Sequence, residues 1–384
     1  MKKSILALLL AATATTAIVG TAQACTTAVY HNGDASISSR SMDWFGHDEA
    51  SVVGTGKGVE AVYAATDNAV KAKSKYATLK INSFHGANTD TSKGGVVAEA
   101  MNEAGLEARI LYLSRAYSAF PEGSAKTPDV SALEVPNWAT DNFATVAEVL
   151  DAIENGKVDI IEAEICNLPT SSGHGHCTQA PVHYQFADKS GDTAIVEFVQ
   201  GELKVYRGET ANVMSNDPEL AVHLEFSANG KKSDGSIHPI DRRLRGKEII
   251  ADMYARDVKD NAAAKNAMKA VANSTFAGYE QLDHSLETPN VFPTLWTVHT
   301  DRNQGEWVLD RYDTWSAETY NFTMFDVNKA ESTTLGIHHK ISNGNINELT
   351  EAEKVAIKPP FLCLEQPKRT VFTVASFLDS TANQ

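Results

Sequence analysis

Cys25 is the residue of this sequence best placed to do chemistry, and the reason lies in what precedes it. Lys2 and Lys3, an apolar run from Ile5 to Leu10 continuing through Ala- and Thr-rich sequence to Val19, and then Ala22-Gln23-Ala24 read as a secretory signal peptide over residues 1–24 with an A-x-A cleavage site. The run is too short and too rich in Thr for a stable membrane span, so no membrane anchor is expected. Cleavage after Ala24 makes Cys25 the first residue, with a free α-amino group beside its thiol. An α-amine has an ordinary pKa of about 8, so a modest shift leaves it neutral and able to accept the thiol proton. The chemistry predicted is nucleophilic attack by a thiol whose own amine is the general base. Two other readings compete. A lipidated Cys would leave a lipid-anchored envelope binding protein without turnover, but such signals normally carry Leu three residues before the Cys, where this chain has Ala22, with Gln23 next. The plainest reading is a Cys that merely follows a signal.

A thiol nucleophile needs a cation nearby and donors for the oxyanion it generates. Arg40 and Asp43 lie three apart near the end of a predicted strand, where a guanidinium should lower a Cys pKa. Taken alone, they could equally be a surface ion pair worth under about 1 kcal/mol. Asn216 stands in Ser215-Asn216-Asp217-Pro218, a setting typical of a turn residue. Arg242 begins a basic cluster with Arg243 and Arg245, and any of the three could simply sit on a solvated helix.

The elements that must position these groups start with strands. Thr26 to Tyr30 and Ala35 to Arg40 flank His31-Asn32-Gly33-Asp34, an Asn-Gly turn cluster, and predict an opening hairpin. Gly95 to Met101 and Leu106 to Leu113 predict a second. His183 to Ala187, Thr193 to Gln200 and Leu203 to Arg207 predict a meander. Val146, Val149, Leu150 and Ile153 recur with helical spacing before Gly156, so a helix is expected over Thr145 to Asn155. A second should run from Arg242 to Tyr254, capped by Asp241, and an Ala-rich third from about Asn261 to Ala272. Strands return at Leu295 to Thr300, Glu306 to Asp310 and Tyr320 to Phe325. Ser114 to Pro136 reads as a long loop that could act as a lid. Strand-rich ends around a helical middle favour an α+β fold with largely antiparallel sheets, in a single domain over residues 25–384.

Composition narrows the partners. The chain has 384 residues, 42% hydrophobic and 22% charged, which is ordinary for a globular protein and excludes disorder. Its formal charge of −15 is opposite in sign to what nucleic acid requires. Removing residues 1–24 takes away two lysines and no acid, which lowers that charge to −17.

In order, Cys25-Thr26-Thr27, Arg40-Ser41-Met42-Asp43-Trp44, Met101-Asn102-Glu103-Ala104-Gly105-Leu106, Ser215-Asn216-Asp217-Pro218, Asp241-Arg242-Arg243-Leu244-Arg245 and Thr294-Leu295-Trp296-Thr297-Val298 follow one known pattern. Through them the chain resembles the choloylglycine hydrolases, which comprise penicillin V acylases and conjugated bile salt hydrolases. The resemblance implies the N-terminal nucleophile fold, an αββα four-layer sandwich of two antiparallel sheets. It implies that Cys25 is nucleophile and base, that Asp43 orients the amine, that Arg40 lies beside the thiol, and that Arg242 is a further active-site arginine. The oxyanion donors it implies are the Asn216 side chain and a backbone N–H at Tyr112. Trp44, directly after Asp43, is similar to the Gram-negative branch of the family and is expected to help form the substrate pocket. Tyr112 stands where bile salt hydrolases usually carry Asn and is similar to penicillin V acylases. The resemblance thus implies a periplasmic amidase that needs no cofactor or metal, takes a small-molecule amide and assembles as a homo-oligomer, a tetramer in better-known members. The stretch between Asn216 and Arg242, much shorter here, helps to build that tetramer in Gram-positive relatives.

Cys166 and Cys177 could form a disulfide closing the loop that carries His174 and His176. A metal site from the same four residues is the alternative, although adjacent His176 and Cys177 do not easily point at one ion. Cys363 has no assigned role, and His299 is expected to be structural.

Overall fold

The computed structural model describes residues 25–336 except 45–47, 49, 85–86, 90, 92–94, 167–176, 279–281, 284–287, 290–291 and 313–315. The expected signal peptide, His174, His176 and Cys363 lie outside the described residues, and no described helix is long and apolar enough to cross a membrane.

Two large antiparallel sheets carry the fold. In chain order their strands are β1 (Thr26–Asn32), β2 (Ala35–Asp43), β3 (Ser51–Thr55), β4 (Thr78–Ser83), β5 (Val96–Asn102), β6 (Glu107–Tyr112) and β7 (Val182–Ala187). Then follow β8 (Thr193–Val199), β9 (Glu202–Arg207), β10 (Val213–Ser215), β11 (Thr294–Asp301), β12 (Glu306–Arg311), β13 (Ser316–Asn321) and β14 (Ser332–Gly336). One sheet has the order β10-β1-β2-β11-β12-β13; the other runs β9-β8-β7-β6-β5-β4-β3-β14. Helices α1 (Val135–Asn142) and α2 (Val146–Glu154) cover the outer face of the eight-stranded sheet. The short α3 (Leu220–Ala228) follows β10, and α4 (Pro239–Ala255) and α5 (Asn261–Thr275) cover the six-stranded sheet. The architecture is therefore α+β, an αββα sandwich of two antiparallel sheets, as the resemblance implies.

Three apolar cores match its three interfaces. Trp138, Val149 and Leu150 pack under α1 and α2 against Tyr184 and Phe186, while Ile250, Met253 and Met268 pack against Tyr30 and Ile37. Between the sheets lie Met42, Trp296, Trp307, Leu79, Met101 and Ile195. Every residue of β2 is buried, because α5 covers one of its faces and the second sheet the other. The β1–β2 hairpin turns at Gly33, whose φ of 57° suits a residue without a Cβ. Thr145 and Glu148 form a capping box at the start of α2.

Three segments differ from the expectations above. The segment Ser114 to Pro136 is not all loop: Asp129–Ser131 forms a short strand beside Asp159–Ile161, and α1 begins at Val135. Asp241 does not cap α4; that helix starts earlier, with the His238 side chain accepting from the Ile240 N–H, and Asp241 instead accepts from Ser236 Oγ. The expected strand Tyr320 to Phe325 is the end of β13 followed by a 3₁₀ turn at Phe322–Met324.

A ladder of buried charge also crosses between the sheets. Arg109 of β6 meets Glu99 at 2.9 Å through Nε, pairs with Glu107, and donates to Thr27 Oγ1 at 2.6 Å and Ser38 Oγ at 3.0 Å on the facing sheet. Glu107 also accepts from Thr300 at 2.6 Å and from Arg302 at 3.0 Å. Burial opposes the ionised form of Glu107, but Arg109 and Arg302 hold its carboxyl down to about 2. Glu99 shares Arg109 and is repelled by Glu107, and burial pushes it up to about 8.

Removing one member of such a cluster leaves its partners charged and unpaired, so Glu107→Gln should destabilise the fold by about 3–5 kcal/mol at pH 7. Because the folded pKa of Glu107 lies below its unfolded value, its contribution is complete above the unfolded value and is lost as pH falls towards 2. Urea midpoints of both proteins at pH 7 and pH 3 should show the penalty shrinking in acid; an equal penalty at both would contradict this account.

Candidate active site

Cys25 stands at the head of β1, the strand that joins β10 to β2. Thr26 faces Ser41 across one ladder and Ser215 across the other, so the next step of each register sets Cys25 beside Met42 and Asn216. Its thiol is buried. Sγ accepts from the Asp43 N–H at 3.4 Å and lies 3.7 Å from the Asp43 carbonyl and 3.8 Å from Met42 Sδ.

Two serines fasten this head of the strand. Ser41 Oγ accepts from the Thr26 N–H at 3.1 Å and donates to Asp43 Oδ2 at 3.2 Å, while Ser215 Oγ donates to the Cys25 carbonyl at 3.0 Å. Neither was identified from sequence, although both sit next to singled-out residues, Arg40 and Asn216. A hydroxyl one step along the strand from a candidate was the available signal.

Arg40 is buried and held from the opposite sheet. Its guanidinium donates to the carbonyls of Ala98 at 3.0 Å and Ile110 at 3.2 Å, lies 3.7 Å from Glu99, and stands over the Trp296 ring at 5.0 Å. Arg40 pulls the Cys25 pKa down, as expected, but the net shift of the thiol is upward. Burial pushes the Cys25 thiol up, and the pull of Arg40, assisted by the Asp43 N–H and Arg242, does not overcome it. A low-dielectric site disfavours the thiolate more than one guanidinium favours it.

Asp43 pairs with Arg242, whose Nε also donates to the Ile237 carbonyl at 2.7 Å. Burial drives the Asp43 carboxyl up; Arg242 and hydrogen bonds from Thr294 and Ser41 oppose it. Of the three arginines left open by the sequence, Arg242 is the one that meets Asp43. Arg243 instead braces the Val213 carbonyl at 3.1 Å, and Arg245 the Ser274 carbonyl at 2.7 Å.

Asn216 directly follows β10 and is fully buried, and neither polar atom of its side-chain amide has a hydrogen-bond partner among the described residues. Tyr112 ends β6 on the other sheet. Two residues on, the Ser114 N–H donates to Asp217 Oδ1 at 2.6 Å, so the segments carrying Tyr112 and Asn216 are tied together.

Cys25, Arg40, Trp44 and Tyr112 line one cleft of about 290 Å³, at the small end of ligand pockets. Its walls are mostly apolar: Met42, Phe84, Val96, Ile110, Leu133 and Val182. Trp44 packs its ring 4.9 Å from Phe84 and 6.4 Å from Phe292. One wall is stapled by a disulfide between Cys166 and Cys177, which face each other across the strands Glu164–Cys166 and Cys177–Gln179; Ile165, Thr178 and Gln179 face the cleft. The disulfide uses both sulfurs, so the alternative metal site loses its thiolate ligands. His299 lies on the other face of the six-stranded sheet, 2.8 Å from Ser39 Oγ, with its pKa lowered by burial to about 4.

Arg242→Gln should leave Asp43 without its cation and raise that carboxyl further. The acid limb of the kcat profile should therefore move to higher pH, with a smaller displacement for Arg242→Lys. A limb unchanged in both variants would mean that Asp43 does not need to be ionised.

Residues 25–234 match the model of the linear amide C–N hydrolases, choloylglycine hydrolase family, which begins at Cys25. The chain is 25% identical over 327 residues to a penicillin V acylase of Pectobacterium atrosepticum, covering 80% of this chain and 81% of that one. Penicillin V acylase from Agrobacterium tumefaciens superposes with a TM-score of 0.63 at 25% identity, covering 81% of this chain and 91% of its own. A variant of conjugated bile acid hydrolase from Clostridium perfringens gives 0.64 at 16% identity, over 84% and 100%, and so shares the fold. The chain belongs to the choloylglycine hydrolase family and is a hydrolase of linear amide C–N bonds.

Proposed function

We propose that this amidase is a penicillin V acylase whose nucleophile is Cys25, freed as the N-terminal residue when residues 1–24 are removed during export to the periplasm. The observation that carries the reading is a buried thiol at a cleft with aromatic walls, next to a buried amide that has no partner among the described residues. A thiol kept protonated by burial needs a base at its own position, and its α-amine is one. The amine takes the thiol proton as sulfur adds to the substrate carbonyl. Asn216 and the Tyr112 N–H would hold the oxyanion, the ammonium returns its proton to the leaving amine, and water hydrolyses the thioester. Arg40 stabilises negative charge on sulfur, and Asp43, neutralised by Arg242, orients the amine.

The cleft walls favour an aromatic or alkyl acyl group. Trp44, Phe84 and Tyr112 offer ring faces and edges suited to a phenoxyacetyl group, and the same surface would accept the alkyl chain of an N-acyl homoserine lactone. A steroid acyl group is bulky for 290 Å³, and a mature charge of −17 does nothing to attract an anionic bile salt. The disulfide in the cleft wall suits an oxidising compartment.

Two measurements test this. Relative kcat/KM for penicillin V, acyl homoserine lactones and glycine- or taurine-conjugated bile salts should rank the bile salts last; a clear preference for them would overturn the substrate assignment and leave the nucleophile untouched. A variant blocked in cleavage before Cys25 should fold but show no turnover, because its base is tied up as an amide, and wild-type turnover would refute the amine mechanism.

A further inference from the structure

We infer that His223 is a positioning residue for the oxyanion donor Asn216, acting through the Asn216 backbone carbonyl. The inference rests on the proposed role of Asn216. His223 lies on α3, is buried, and has Nε2 2.9 Å from that carbonyl oxygen. A carbonyl only accepts, so Nε2 carries the hydrogen and donates it. Burial brings the His223 pKa down to about 3, and the ring is therefore a neutral, fixed-tautomer donor at any working pH.

The placement of Asn216 depends on such a contact more than that of most buried residues. Its side-chain amide finds no described group to hold it. Its direction is therefore set by its backbone, which is gripped on one side by Ser215 against Cys25 and on the other by Asp217 against Ser114. His223 supplies the grip at Asn216 itself.

His223 is in turn anchored to the opposite sheet. Both carboxylate oxygens of Glu197, on β8, accept from the Leu220 N–H at the start of α3, each at 3.1 Å. Glu197 Oε1 is also 2.9 Å from His183 Nδ1 on β7. The chain His183, Glu197, α3, His223 thus ties the donor that follows the six-stranded sheet to strands of the eight-stranded sheet, which also carries Tyr112. Two oxyanion donors on different sheets have to keep a fixed separation, and displacements of about 1 Å at a reacting centre can cost 10²-fold in rate.

The test is a double-mutant cycle with kcat and KM measured separately. Asn216→Ala should lower kcat about 10²- to 10³-fold by removing a donor. His223→Ala should lower kcat about 10- to 10²-fold with KM little changed. His223→Gln, whose amide N–H can still donate, should recover most of that loss. In the Asn216→Ala background His223→Ala should have almost no further effect on kcat. If the two losses multiply, or if His223→Ala lowers the melting temperature while kcat stays at the wild-type value, His223 is only a satisfied core histidine and the inference is overturned. If Asn216→Ala itself leaves kcat unchanged, the oxyanion role fails first and the inference fails with it, an outcome distinguishable from the others.

Discussion

Guanidinium and carboxylate groups occupy the gap between the two sheets where a sandwich normally holds apolar side chains alone, and each would cost several kcal/mol to bury unpaired. That penalty constrains the whole molecule. Arg109 has to meet Glu99 and Glu107 on its own sheet and Thr27 and Ser38 on the other, which fixes how the sheets lie against each other. Thr27 is two residues from Cys25, and Ser38 two residues from Arg40, so the alignment that satisfies the ladder also places both of these residues. Arg40 belongs to both systems, since it contacts Glu99 and the carbonyls of Ala98 and Ile110 from behind and lines the cleft in front.

The same burial acts on the Cys25 thiol. In an open site a cation beside a cysteine lowers its pKa, but here desolvation prevails and pushes the thiol up. Asp43 experiences a similar contest, and in its case the opposing cation is in direct contact.

The fold was readable wherever local chemistry and tertiary packing agreed. The opening hairpin, the 183–207 meander and the helix after Thr145 each carry their own turn or cap signal, such as Gly33, Gly191 and the Thr145–Glu148 box. α1 was hidden because its Pro136, read as a loop marker, occupies a helix N-terminus, where a missing N–H costs nothing. α3 was hidden because its capping partner, Glu197, lies 23 residues away in sequence. Within the site, Cys25, Arg40, Asp43 and Asn216 were named from sequence because their residue types and order are informative. The contacts of Ser41 and Ser215 with Thr26 and Cys25 follow from the strand register, and that of His223 with the Asn216 carbonyl from the placement of α3, so an imidazole facing a carbonyl leaves no trace in residue spacing.

The Asn216 amide carries a further consequence. A buried amide that forms a protein hydrogen bond typically contributes about 1 kcal/mol to a fold, and the Asn216 amide makes none among the described residues, which on the proposed reading leaves its N–H groups available to substrate. An apolar residue of similar shape would relieve the deficit, so selection for heat resistance alone would favour a chain that is sturdier and inert. Directed evolution of this enzyme for durability therefore has to screen for turnover in every round, because at this position robustness and reactivity pull the sequence in opposite directions.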